Sequence, residues 1–293
     1  MKKKKRKTLL RRILIKAAGA VSAAFIENHL IQVSNYMVAS KQIPAAFDNF
    51  KIVQLSDLHS ARFGIDNVRL IQKIDVAKPD VILMTGDMIT RTDNNHNVFF
   101  KLAETLGGKY LCYYVIGNHE LDMERDELRS FLTRISALGI HVLDNEKVEI
   151  SRENQSISLY GMWFSLKYYK EAKHRAKKTA QFGGRDMKRA MGSYDSAHYG
   201  ILLTHNPLCF PVYAGWGADL TLCGHVHGGM IRIPFVGGLL SPERKFFPKY
   251  SAGIYEQNGK KLLVSRGLGS GVFGVRILNR PEIVVITLAH SAS

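Results

Sequence analysis

Five apolar runs in this chain end in side chains that bind metal ions. They are Ser56-Asp57-Leu58-His59, Thr85-Gly86-Asp87, Gly117-Asn118-His119-Glu120, Thr204-His205-Asn206-Pro207 and Gly224-His225-Val226-His227. Five of the eleven histidines lie in these motifs. A lone histidine ordinarily serves packing, so the weight rests on the ensemble. Asp57-x-His59 and His225-x-His227 set pairs at i and i+2, which point to one side of an extended backbone. Aspartate, histidine and asparagine without cysteine suit Mn²⁺, Fe²⁺ or Zn²⁺ rather than a structural thiolate zinc. Eight or so ligands exceed what one cation takes and fit two held roughly 3.5–4 Å apart. Two cations need a carboxylate able to bridge them, and Asp87 is the candidate.

The elements that position these residues follow from the hydrophobic pattern. Expected strands are 30–39, 51–55, 81–84, 110–116, 201–203, 220–223, 261–265 and 283–288. Expected helices are 67–76, stopping before Pro79, then 98–106 and 124–138, each followed by glycine. Strand–helix alternation indicates a layered α/β fold with parallel central strands. Ligands in such sheets collect at strand carboxyl ends, where these motifs lie. Segments 141–143, 148–150 and 157–162 are expected to form an antiparallel meander, interrupted by a basic helical stretch over 165–191.

The chain has 293 residues and a net charge of +16. Residues 1–16 hold nine Lys/Arg and no acid, and residues 165–191 carry a net +7, which together make up the whole excess. A polybasic start, Arg11-Arg12 and the apolar Ala17–Ile26 stretch resemble a twin-arginine or secretory leader, or a basic anchor lying on anionic lipid. Residues 1–29 are therefore expected to be a membrane-anchor or signal segment, with one domain over 30–293. Membrane association is expected, the extracytoplasmic face being favoured over the cytoplasmic one. Cys112, Cys209 and Cys223 sit in or beside apolar runs without metal-like spacing, and are expected to be small buried hydrophobes.

The ordered set Asp-x-His, Gly-Asp, Gly-Asn-His-Glu, His and Gly-His-x-His resembles the calcineurin-like metallophosphoesterase superfamily over about residues 45–290. It is closest to membrane-associated bacterial members, which pair a basic or twin-arginine amino terminus with a tail like Ser265-Arg266-Gly267-Leu268-Gly269. The resemblance implies a four-layer α/β/β/α sandwich of two packed mixed sheets, with a dimetal site at strand carboxyl ends. It also implies one divalent metal on Asp57, His59, Asp87 and His227, and a second on Asp87, Asn118, His205 and His225. His119 is then the general acid rather than a ligand, and Glu120 a structural partner. Met88-Ile89-Thr90 supplies no metal-bound tyrosine, so an iron(III)–tyrosinate centre is not expected.

Two cations on phosphoryl oxygens neutralise developing charge and acidify a shared water, so that hydroxide attacks in line. The expected activity is hydrolysis of a phosphodiester, pyrophosphate or monoester at a membrane surface. The substrate is then a phosphorylated molecule such as an anionic lipid; UDP-2,3-diacylglucosamine pyrophosphatases are similar enzymes. The alternatives are a nuclease or cyclic-nucleotide phosphodiesterase, and a metal-binding scaffold without catalysis. A complete ligand set with His119 argues against the scaffold, and a membrane tether argues against nucleic acid as partner. Met162-Trp163-Phe164 with Tyr168 and Tyr169 reads either as a membrane-dipping cap or as packing beside the site.

Overall fold

The computed structural model describes residues 27–92, 96–169, 181–233, 235–241, 245–271 and 276–291. Residues 1–26, which hold the basic leader, and 170–180 of the basic stretch lie outside the described residues.

Four strands run almost entirely buried: β2 (Lys51–Leu55), β3 (Val81–Met84), β8 (Gly200–Leu203) and β9 (Leu220–Cys223). Burial on both faces explains why these strands are mostly apolar rather than alternating, with Gln54 and Thr221 as buried polar exceptions. Side chains still alternate between two cores. Ile52, Val81 and Leu83 enter the core shared by the two sheets, whereas Val53, Leu55, Ile82 and Met84 face the helices of one flank.

The first sheet has the order β1 (Gln32–Ser40), β14 (Glu282–His290), β2, β3, β4 (Cys112–Tyr114) and β5 (Ile140–Val142). Helices α1 (Val68–Ala77), α2 (Asn97–Gly107) and α3 (Arg125–Ala137) cover its outer face through Leu70, Ile74, Phe99, Leu102, Leu106, Phe131 and Ile135. The second sheet has the order β12 (Gly253–Gln257), β13 (Lys260–Val264), β9, β8, β7 (Gln155–Gly161) and β6 (Glu146–Arg152). Helices α4 (Gly184–Met191) and α5 (Phe210–Trp216) cover it through Met187, Phe210 and Tyr213. Between the sheets, residues such as Leu159, Ile201, Leu222, Val284 and Ile286 fill the central core. The result is the expected α/β/β/α sandwich with two mixed sheets.

Element limits mostly shift by one or two residues, and 51–55, 81–84 and 220–223 match the expectation. The meander does not form. β5 pairs in parallel with β4 in the first sheet, while β6 and β7 form a hairpin in the second. Sequence-adjacent short strands look alike whichever sheet they join, and only the long-range partner decides. β12 and α5 are further elements beyond those expected, as is the short hairpin of β10 (Arg232–Ile233) and β11 (Gly237–Gly238). Cys112 and Cys223 are buried and Cys209 is half-buried. Burial pushes the Cys112 thiol up to about 12, so it packs as a small hydrophobe.

Candidate metal centre

Asp57 and His59 follow β2, Asp87 follows β3, Asn118 and His119 follow β4, His205 follows β8, and His225 and His227 follow β9. β2, β3 and β4 are neighbours in one sheet, β8 and β9 in the other. The carboxyl ends of both sheets therefore face one buried cluster, and all eight residues are at most 9% exposed. Buried Gln54 joins the two sheets beneath it, donating from Nε2 to Thr85 Oγ1 (3.0 Å) and to the Cys223 carbonyl (2.9 Å).

The strands turn abruptly at the site. Asp57, His59, Asp87, His225 and His227 have φ of 50°, 46°, 53°, 72° and 52°. This left-handed region costs a non-glycine residue on the order of 1 kcal/mol, and Asp and His tolerate it better than most. Close packing adds a second constraint. A Cβ on Gly117 would collide with the Asp87 carboxylate, and one on Gly224 with Ser56 and Asp57.

Two carboxylates sit at the centre. Asp57 Oδ1 lies 3.5 Å from His227 Nε2, 3.8 Å from His205 Nε2 and 3.9 Å from His59 Nε2. Asp87 Oδ2 lies 3.1 Å from His205 Nε2, 3.8 Å from His59 Nε2 and 3.9 Å from His119 Nε2. Three groups have donor atoms close enough to share a cation: Asp57–His59–His227, Asp87–His205–His225 and His59–Asp87–His119. The buried Asn118 side chain belongs to the same loop.

The tautomers test whether cations fit. His205 Nδ1 lies 2.7 Å from the Thr85 carbonyl and His227 Nδ1 lies 3.3 Å from that of Gly269. A carbonyl only accepts, so each Nδ1 carries a proton, and Nε2 is the ring atom left for a cation. Each Nε2 points into the cluster, toward an Asp87 oxygen at 3.1 Å for His205 and toward His59 Nε2 at 3.1 Å for His227. Buried imidazole nitrogens and carboxylate oxygens converging in this way are a donor set that divalent cations take, and the residues fit two such ions.

The charges agree. Burial keeps His227 well below the usual histidine range, with His59 and Arg276 adding to it. Burial lowers His59 likewise, against the opposing pull of Asp87 and Asp57. Burial alone would push Asp87 up, but the imidazoles of His205, His119 and His59 outweigh it and hold the carboxyl well below its ordinary value. Burial alone would lower His205, but the Asp87 charge reverses this and lifts it to about 10.

His119 is held differently from the others. Its backbone N–H donates to Asp87 Oδ1 (2.8 Å), and its Nδ1 accepts from the Arg91 N–H (3.1 Å). With Nδ1 accepting, the neutral ring carries its proton on Nε2, the nitrogen turned toward Asp87.

Three further features shape the site. Glu120 is fully buried and accepts from the backbone N–H of Met88 (2.7 Å), Gly117 (2.8 Å) and Asp87 (3.0 Å), so it clamps two ligand loops together. Tyr169 packs its ring 5.2 Å from His225, with Phe164 and Phe182 stacked behind it. Residues 163–169 thus wall the site: Phe164 and Tyr169 are buried, and the half-buried Trp163 donates from Nε1 to Asp144 (2.8 Å). Phe164 and Tyr169 thus pack beside the site, while residues 170–180 of the basic stretch lie outside the described residues. Finally, buried Arg276 donates through Nε to the Gly269 carbonyl (2.9 Å), the same group that orients His227. The glutamate had a local signal in Gly-Asn-His-Glu and Tyr169 one in its aromatic run, whereas Arg276 had none.

Comparison with known proteins accords with this geometry. The calcineurin-like phosphoesterase family model matches residues 50–229. The chain is 30% identical to the uncharacterized metallophosphoesterase YkuE of Bacillus subtilis over 310 aligned positions, covering 98% of this chain and 99% of that protein. It is 27% identical to the phosphodiesterase YaeI of Escherichia coli over 279 positions, covering 93% and 95%. Among solved structures, the phosphopantetheinyl hydrolase PptH of Mycobacterium tuberculosis aligns over 74% of this chain and 89% of its own, with 13% identity and a TM-score of 0.46. With a family model spanning five ordered motifs and a relative matched end to end, the chain belongs to the calcineurin-like phosphoesterase family and is a metal-dependent phosphohydrolase.

Proposed function

We propose that the protein hydrolyses a phosphodiester at a membrane surface, using two divalent cations of the Mn²⁺, Fe²⁺ or Zn²⁺ type. The observation that carries this is Asp87, whose Oδ2 lies within 3.9 Å of His59, His119 and His205 at once. One cation would be held by Asp57, His59, Asp87 and His227, the other by Asp87, Asn118, His205 and His225. Bound there, the pair supplies charge neutralisation at the phosphoryl oxygens and a water acidic enough to attack at neutral pH.

The chain's own residues do the rest. His119 directs Nε2 at the cluster; it acts from the imidazolium form, giving the Nε2 proton to the departing alkoxide and ending as the neutral ring. In that neutral ring Nδ1 accepts the Arg91 N–H, which favours the product of the transfer. Glu120 holds the Asp87 and Asn118 loops in register, so that ligands and acid keep fixed spacing. A diester is favoured over a monoester by the relative named as a phosphodiesterase. Membrane action rests on the basic segment 1–16 and the apolar 17–26. No helix among the described residues is long and apolar enough to cross a membrane.

Turnover of bis(p-nitrophenyl) phosphate and of p-nitrophenyl phosphate with Mn²⁺ tests this. The diester should be cleaved faster; a preference for the monoester would reverse the assignment, and no cleavage with any divalent metal would remove it.

A further inference from the structure

β1 runs parallel to β14, with Gln32 beside Glu282, and β14 runs antiparallel to β2. The amino ends of β1 and β14 therefore lie at the sheet end where β2 delivers Asp57 and His59. Contacts agree with this. Glu282 donates its N–H to the Gly267 carbonyl (3.0 Å), and Gly267 packs against the Asp57 side chain. Glu27, where the described chain begins, accepts from the Leu278 N–H (3.2 Å) and pairs with Arg280 (3.8 Å). The basic amino-terminal segment is thus attached on the metal face of the sandwich.

Leu278 belongs to a ribbon on that face. The Arg232 N–H bonds the Ile277 carbonyl (3.0 Å), Leu239 bonds Ile231 (2.8 Å), and Phe247 bonds Leu239 (2.9 Å). These short segments lie side by side just after His225 and His227 in the chain. Their outward side chains are apolar: Phe235 is fully exposed, and Phe246, Val236, Phe247 and Leu278 are 70%, 62%, 59% and 54% exposed. Large side chains clustered in water mark an interaction surface. Cations accompany them: Lys245, Phe246, Phe247 and Lys249 line a cavity of about 190 Å³ that His225 also lines.

We propose that this ribbon docks onto an anionic bilayer and holds the metal site against the lipid surface. Exposed phenylalanines beside lysines are the composition of interfacial contacts, where rings enter the headgroup boundary and cations meet lipid phosphates. The tether enters at Leu278, so a membrane bound by residues 1–26 lies beside the ribbon, and charge complementarity favours an acidic surface. That substrate is drawn from this surface rests on the phosphoesterase reading; docking itself does not.

The test uses the full chain with phosphatidylcholine vesicles containing or lacking phosphatidylglycerol. Phe235→Trp should shift its emission to the blue on anionic vesicles and be quenched by brominated lipid, beyond the response of the wild-type chain. Phe235→Asp with Val236→Asp should weaken vesicle binding by about tenfold, with bis(p-nitrophenyl) phosphate turnover unchanged. Loss of that turnover in the wild-type chain would count against the phosphoesterase reading and leave docking standing. Vesicle binding with no shift or quenching at residue 235 would overturn the proposal, as would no binding at all. So would a dimer that Phe235→Asp converts to monomer without altering vesicle binding, since the occupant would then be a second copy.

Discussion

Asp87 Oδ2 lies 3.1 Å from His205 Nε2, while the other nitrogen of that ring is fixed by the Thr85 carbonyl two residues before Asp87. A ligand from the second sheet is thereby oriented by the backbone of the loop that carries the central carboxylate of the first. Asp87→Asn should lower both metal occupancies and reduce turnover by on the order of 10³-fold. His227→Ala should mainly weaken one ion. Metal content per chain separates the two; equal loss from both variants would show that the sites do not divide as proposed.

His119→Ala should retain its metals and lose about 10²–10⁴ in turnover of an alkyl phosphodiester. The loss should be much smaller for bis(p-nitrophenyl) phosphate, whose leaving group departs without a proton. Comparing the two substrates distinguishes a proton donor from a group that only supports the site.

Metal uptake should depend on pH with a definite sign. In the metal-free protein His205 is raised to about 10, so at pH 7 it carries a proton that a cation must displace. Affinity should therefore rise with pH between 7 and 10, by up to about tenfold per pH unit for one displaced proton. Calorimetry in buffers of different ionisation enthalpy reads the released proton directly.

Arg276→Leu removes a buried guanidinium that donates to the carbonyls of Gly269 and Arg266. Leaving these carbonyls unsatisfied should cost roughly 2–5 kcal/mol by urea denaturation. Metal affinity should also fall, because Gly269 orients His227 and its N–H bonds the Asp57 carbonyl (2.6 Å).

The ligand motifs were legible in the sequence because each is local: an apolar strand, a turn, and a side chain on the turn. Their order along the chain carried the family and, with it, the sandwich. Which backbone N–H groups Glu120 clamps was decided by the tertiary structure, since Asp87 and Met88 belong to another loop. Residues 163–169 looked equally suited to a membrane or a core, since aromatic composition is the same in both. That Tyr169 itself packs against His225 is visible only in the tertiary structure.

Local composition is set by which face of an element is buried, so it reports burial and turn chemistry directly. The pairing of distant segments is set by the balance of the whole core, and no local pattern encodes it. Sequence alone thus gave the candidate donor set, the central strands and the basic amino terminus. Only the tertiary structure decided that β5 joins β4 and that the β1–β14 pair brings Glu27 to the metal face. It likewise decided that the ribbon around Phe235 and Phe246 is left outside every core.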